Sequence, residues 1–187
     1  MGNKLIPRTG TVSMDSQWTI GAKNEPEEED ALISEKGVDY TRLRDLLKAQ
    51  KFEDADYETH ARMLESVGRK DIDYLRKEEA LHFPYADLKT IDRLWLKYSN
   101  GRFGFSVQKE IYVQCGAKLD GKYPGEKIWC EFIDRVGWRI SSFYWLFYSE
   151  RTFKIEAPAG HLPSYFCEGT FGYEMLWSLL SHRDLQA

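Results

Sequence analysis

The side chains with the clearest potential chemistry are Phe103 and Phe105, which flank Gly104 just after an Asn100-Gly101 turn. Aromatic rings around a residue with no side chain can frame a cleft for a flat ligand, and the same rings can serve as a packing corner. Catalytic groups do not compete with them. The chain carries no serine nucleophile elbow, no phosphate-cradling glycine loop and no Cys/His cluster with metal-ligand spacing. Asp87, Asp92 and Asp134 fall at helix positions suited to capping or surface charge, and Asp92 and Lys97 lie too far apart for a helix ion pair. Cys115, Cys130 and Cys167 form an odd, sparse set that reads as free thiols in a reducing compartment. His60 and His82 read as solvated or core residues. His161, between Gly160 and Pro163, has two open roles: an axial ligand to a bound metal, or a ring that fixes its own loop.

Helices must position the Phe103–Phe105 corner. Leu88, Ile91, Trp95 and Tyr98 recur at spacings of three and four and share one face. Ser99-Asn100-Gly101 ends that helix, and Ser106 is placed to cap a second one containing Val107, Ile111 and Tyr112. Upstream, Leu43, Leu46 and Leu47 form one stripe and Phe52, Ala55, Thr59 and Met63 the next. The short Ala49-Gln50-Lys51 link predicts an antiparallel helix pair, which Gly68 ends. A short charged helix is expected over 71–80. Downstream, 118–125 is a turn-rich loop and 128–136 a helix that Gly137 breaks. Residues 141–157 read either as two short strands around Ser149-Glu150-Arg151 or as irregular structure. Pro158, Gly160 and Pro163 mark a loop, and 172–185 is a final helix with Leu176, Leu179 and Leu180 inward. The expected fold is therefore mainly α, a compact helical domain over 37–187 with the option of a short β-hairpin. Residues 1–36, with the acidic run Glu25–Asp30, read as a disordered tail.

Composition narrows the function. Of 187 residues, 42% are hydrophobic and 14% aromatic, enough for a core built on large rings. A net charge of −4 argues against nucleic acid as a partner, because that would need a clustered basic face. No apolar run approaches the roughly 20 residues of a membrane span, and the N-terminus lacks the apolar core of a secretory signal. A monomer is expected.

Several unusual blocks in one order carry a family resemblance. They are Phe83-Pro84, Asp87-Leu88, Ile91-Asp92, Leu94-Trp95, Lys97-Tyr98-Ser99, Arg102 through Gln108 and Ile111-Tyr112. Leu46-Leu47, Phe52, Ala55-Asp56 and Glu58-Thr59 extend them on one side. Phe132, Val136 through Arg139, Ala157-Pro158 and Gly160 through Pro163 extend them on the other. The chain, over roughly 38–187, resembles the genomes-uncoupled porphyrin-binding proteins. That resemblance implies a non-catalytic protein that binds protoporphyrin IX and Mg-protoporphyrin IX and stimulates magnesium chelatase in chlorophyll synthesis, through the enzyme's large subunit. It implies the cytoplasm of a cyanobacterium or the chloroplast stroma, with peripheral association at the thylakoid as an option. Cyanobacterial members often carry a separate helical domain ahead of the core, and none is expected within the residues before position 38.

A porphyrin is a flat apolar disc with carboxylates on one edge, so its site needs an apolar concavity and cations at the rim. Leu96, Phe103, Phe105 and Val107, with Trp138, Leu162, Tyr165 and Phe166, are the candidates for the apolar surface, and the resemblance carries Leu96, Phe105, Tyr165 and Phe166 over from the family. Arg102 and Arg139 are the rim candidates, since a guanidinium pairs bidentately with a carboxylate. The family's loop after His-Leu-Pro usually carries further bases. Here it reads Ser164-Tyr165-Phe166-Cys167-Glu168-Gly169, with an acid and no base. That departure opens a second reading: a sensor or adaptor for a differently substituted tetrapyrrole such as a bilin, for which Cys167 offers a thiol. An enzyme acting on an aromatic substrate finds no acid–base or nucleophile cluster to support it.

Overall fold

The computed structural model describes residues 30–69, 74–141, 144–165 and 170–185. Among them are seven α-helices and one two-stranded hairpin. The first two helices are α1 (Thr41–Lys48) and α2 (Phe52–Ser66). They pack antiparallel because Gln50 adopts a left-handed φ of 55° and lets the chain reverse within three residues. Glu53 and Asp54 lie in the first turn of α2, where carboxylates meet the positive end of the helix dipole. Gly68, at φ 76°, follows its end.

Next come α3 (Lys77–Leu81), α4 (Tyr85–Tyr98) and α5 (Phe105–Gln114). The expected 71–80 helix is thus shorter and later in its described part. The Glu79 carboxylate accepts from the Arg76 amide at 2.8 Å and so starts the helix there. Of the predicted face of α4, Leu88, Ile91 and Trp95 are buried together with Leu94, while Tyr98 is half-buried and donates its hydroxyl to Asp30 Oδ2. Trp95 donates through Nε1 to Thr59 Oγ1 at 2.9 Å, tying α4 to α2. Its ring stacks on Phe52 and takes the edge of Phe103.

The remaining elements are α6 (Glu126–Arg135), β1 (Arg139–Ser141), β2 (Tyr144–Trp145) and α7 (Thr170–Leu180). A hairpin does form, but ahead of Ser149-Glu150-Arg151 rather than around it. Residues Tyr148–Glu150 make a 3₁₀ turn instead, because Glu150 Oε2 accepts the Phe147 amide at 2.9 Å and closes the chain locally. Helix α7 packs on α3 and α5, and it stops at Leu180 rather than 185. Beyond it Lys109 Nζ of α5 donates to the carbonyls of His182 and Leu185, which holds a turn there.

Residues 30–36 do not behave as part of a tail. They run along α4. Asp30 pairs with Lys97, the carbonyl of Ala31 accepts from Arg93, and that of Ile33 accepts from Thr90. Asp87, fully buried, accepts from the Ser34 hydroxyl, the Glu35 amide at 2.9 Å and the Tyr40 hydroxyl at 2.9 Å. The packed unit therefore begins at least seven residues before position 37. Residues 1–29 lie outside the described residues. Asp87→Asn sets an amide donor against one of these donors. It is expected to cost about 1–3 kcal/mol in urea unfolding and to speed amide exchange over 34–38. Unchanged stability would show that Asp87 does not anchor the segment.

Candidate functional site

The α4–α5 corner and the loop that ends at Pro163 are stitched together. Gly104 has φ 137° and stands immediately ahead of α5. Its amide donates to Leu162 O at 3.0 Å, and the Gly160 amide donates to Arg102 O at 2.9 Å. Gln108 sends both hydrogens of its side-chain amide into the loop, to Gly160 O at 2.9 Å and Pro163 O at 2.8 Å. Ser106, expected as the cap of α5, sits instead in its first turn. The cap comes from α4: Asp92 Oδ1 accepts the Ser106 amide at 2.9 Å, and burial raises the Asp92 pKa.

The same loop turns past Pro163 onto α2. Asp56 accepts from the Ser164 amide at 2.7 Å, the Ser164 hydroxyl at 3.0 Å and the Tyr165 amide at 3.1 Å. Arg151 Nη1 donates to Ser164 O at 2.6 Å, with its guanidinium over the rings of Trp138 and Tyr148. Outside this buried polar layer lies an aromatic one. The Tyr165 ring meets Tyr57 with centroids 3.9 Å apart, and Tyr148 presents its edge to both. Tyr57 is 52% exposed and Phe147, next to Tyr148, is 70% exposed.

The predicted site residues divide accordingly. Phe103, Phe105 and Leu162 are 0% exposed and Trp138 is 1% exposed, so these four are core and present no surface. The cause is local. The stitched loop closes over Phe103 and Phe105, and Trp138 is drawn inward by donating Nε1 to His161 O at 2.8 Å. Leu96 and Val107 are half-buried. Leu96 borders a groove of about 230 Å³ that also touches Leu88, Arg93 and Leu185. Arg102 spends its guanidinium on the carbonyls of Ala157 and Glu156, and Arg139 pairs bidentately with Asp134. Tyr165 joins the aromatic layer. Phe166 and Cys167 lie outside the described residues.

A family model described as GUN4-like matches residues 33–183. The chain belongs to the GUN4-like family. The Ycf53-like protein of Synechocystis sp. is 34% identical over 71% of this chain and 53% of that protein. The chloroplastic tetrapyrrole-binding protein of Arabidopsis thaliana is 32% identical over 75% of this chain and 52% of that protein. The chain thus spans about half the length of these curated relatives. The solved structure of GUN4 from Chlamydomonas reinhardtii superposes with a TM-score of 0.67 at 30% identity, over 83% of this chain and 95% of that one. The mainly helical fold is the GUN4 fold.

In this GUN4-like chain three functional candidates escape the sequence pattern: Asp56, Tyr57 and Arg151. One signal was available. Asp56 falls at the apolar spacing Phe52, Asp56, Thr59, Met63, so a carboxylate stands on the buried face of α2. Among the described residues no group of three His, Cys, Asp or Glu could hold a metal ion, and no helix is long and apolar enough to cross a membrane.

Both nitrogens of His161 are engaged. Nδ1 donates to Val136 O at 2.7 Å and Nε2 accepts from the Thr152 amide at 3.3 Å, the tautomer this network requires. The ring therefore fixes its loop. Burial holds its pKa below the ordinary histidine value. A depressed folded pKa gives stability that is present above the unfolded pKa and is lost as pH falls toward the folded one. His161 lowers stability as pH falls from about 7 to 5.5, against the opposite slope of buried Asp56, so the wild type is expected to lose more over this range than His161→Asn. His182, also depressed by burial, keeps part of the slope in the variant. Parallel slopes would remove His161 from this account.

Proposed function

We propose that this chain is a non-catalytic tetrapyrrole carrier that binds protoporphyrin IX and Mg-protoporphyrin IX and stimulates magnesium chelatase. The observation that carries the reading is the aromatic cluster of exposed Tyr57 and half-buried Tyr165 backed by buried Tyr148, in a GUN4-like chain related to a named tetrapyrrole-binding protein. A flat macrocycle laid on those rings gains about 25 cal/mol per Å² of apolar area removed from water. Each offset ring pair adds roughly 0.5–1.5 kcal/mol. Tyr165 is the ring contact retained from the sequence pattern, and the segment runs on into Phe166. Phe103, Phe105, Trp138 and Leu162 support the loop from behind, while half-buried Leu96 and Val107 flank the corner.

Chelatase stimulation follows by population shift. A protein that binds the product and touches the enzyme's large subunit biases one enzyme conformer. The setting is a cyanobacterial cytoplasm or a chloroplast stroma. A second reading is favoured by the two rim arginines, both committed to internal partners: a sensor or adaptor for a less anionic or open-chain tetrapyrrole, without chelatase activation.

Titrations followed by Soret absorbance and tryptophan quenching test the first reading, using protoporphyrin IX, Mg-protoporphyrin IX and biliverdin in parallel. Saturable micromolar binding of the two porphyrins, with faster magnesium insertion in a reconstituted chelatase, is expected. Tighter biliverdin binding with no chelatase effect selects the second reading. No saturable binding of any of the three removes both.

A further inference from the structure

We propose that Asp56 is a proton-responsive positioning residue: its ionised carboxylate holds Ser164 and Tyr165 against α2 and so sets the Tyr165 ring at the ligand face. The consequence for binding rests on the tetrapyrrole reading above; the hold on the loop stands on the ligand-free geometry.

Two successive residues of α2 grip two successive residues of the loop. Asp56 takes the amides of Ser164 and Tyr165 and the Ser164 hydroxyl, and Tyr57 takes the Tyr165 ring. Arg151 holds Ser164 O from the other side. Oδ2 alone faces two donors, the Ser164 hydroxyl and the Tyr165 amide. Only an ionised carboxylate accepts from both. When Oδ2 gains a proton, the Ser164 hydroxyl can rotate and become the acceptor. The Tyr165 amide can only donate, and a protonated carboxyl oxygen is a weaker acceptor than a carboxylate, so the Tyr165 bond is the one weakened.

The surroundings place this change in mild acid. Asp56 is fully buried, and that burial pushes its pKa up to about 6 even though three hydrogen bonds and Arg151 favour the anion. The other polar and charged groups around it are the Tyr148 hydroxyl from the 3₁₀ turn and, on α2 itself, Glu53 and His60 near the tyrosines. The sign differs from that of a stabilising ion pair. Because the folded pKa is raised above the unfolded value, Asp56 adds to global stability as pH falls through its folded pKa. Ligand affinity is expected to fall over the same range. A purely structural carboxylate would not separate the two.

The first test needs no ligand. In ¹⁵N spectra of the whole chain, the Ser164 and Tyr165 amide shifts are expected to titrate together with a midpoint near the Asp56 pKa, and to stay flat in Asp56→Asn. Asparagine presents an amide where Tyr165 needs an acceptor, so it mimics the protonated form. The second test compares protoporphyrin IX affinity at about pH 7.5 and about pH 5.8 in both proteins. The wild type is expected to weaken several-fold more than the variant. The propionates of the porphyrin titrate alike in both and cancel in the comparison. If Asp56→Asn does not fold, the wild-type amide titration decides alone. Flat wild-type amides, or equal pH dependence of binding in the two proteins, overturn the proposal. Titrating amides in a protein that binds no porphyrin at either pH support the latch and sink the tetrapyrrole reading instead.

Discussion

Replacing Phe103 by alanine is expected to lower the unfolding free energy by about 3–5 kcal/mol. The ring is 0% exposed and meets Phe52 edge-on at 5.5 Å and Trp95 at 6.3 Å between centroids. Its backbone is equally fixed, since the Phe103 amide donates to Ser99 Oγ at 2.8 Å. Truncation would leave a cavity between α2, α4 and the corner, and tightly packed interiors relax only partly into such space. Urea unfolding checks the value. A site role predicts something different: weak ligand binding with stability changed by less than about 1 kcal/mol, as for exposed positions. That second pattern would return Phe103 to the ligand face and contradict the core assignment.

Gly104→Ala is expected to cost about 2–5 kcal/mol, the sum of backbone strain and a damaged helix cap. At φ 137° and ψ 162° the backbone occupies a region essentially confined to glycine. An added Cβ would stand 2.8 Å from Asp92 Oδ1, the oxygen that caps α5 through Ser106. The carboxylate must move, and a buried acid then loses its donor. Gly101→Ala is the control. Its φ is also positive, at 75°, but nothing lies within 4 Å of the new Cβ. It should cost only about 1 kcal/mol. Equal losses for the two variants would mean that the Asp92 contact contributes nothing.

These two positions also show what the sequence could and could not reveal. The α1–α2 pair and the α4–α5 corner were legible because each rests on local signals: a 3.6-residue apolar period and turn residues that accept left-handed backbone. The corner's burial was not legible. Phe103 and Phe105 look alike whether a ligand or residues 157–163 cover them, and the cover is held by bonds across more than fifty positions, such as Gln108 to Gly160. The hairpin was displaced for a related reason. Alternating aromatics from 143 to 147 suggest a strand, yet the Glu150 carboxylate closes a turn on Phe147. Tyr57 gave no signal at all, because a single ring among Asp56, Glu58 and other polar neighbours breaks no pattern. The segment 30–36 was misjudged because its anchors are polar contacts to Asp87, Thr90, Arg93 and Lys97, which periodicity does not register.

The claim beneath the functional account is that the ligand face is the outer layer of Tyr57 and Tyr165, with the corner rings serving as its foundation. The direct measurement is the protoporphyrin IX affinity of the double variant Tyr57→Ala/Tyr165→Ala beside that of the wild type, with unfolding followed for both. Loss of two ring contacts predicts at least about tenfold weaker binding. Tyr57 is half exposed, so stability should change by no more than about 1–2 kcal/mol. Wild-type affinity in the double variant, with its fold intact, would place the tetrapyrrole elsewhere on the molecule and contradict the account.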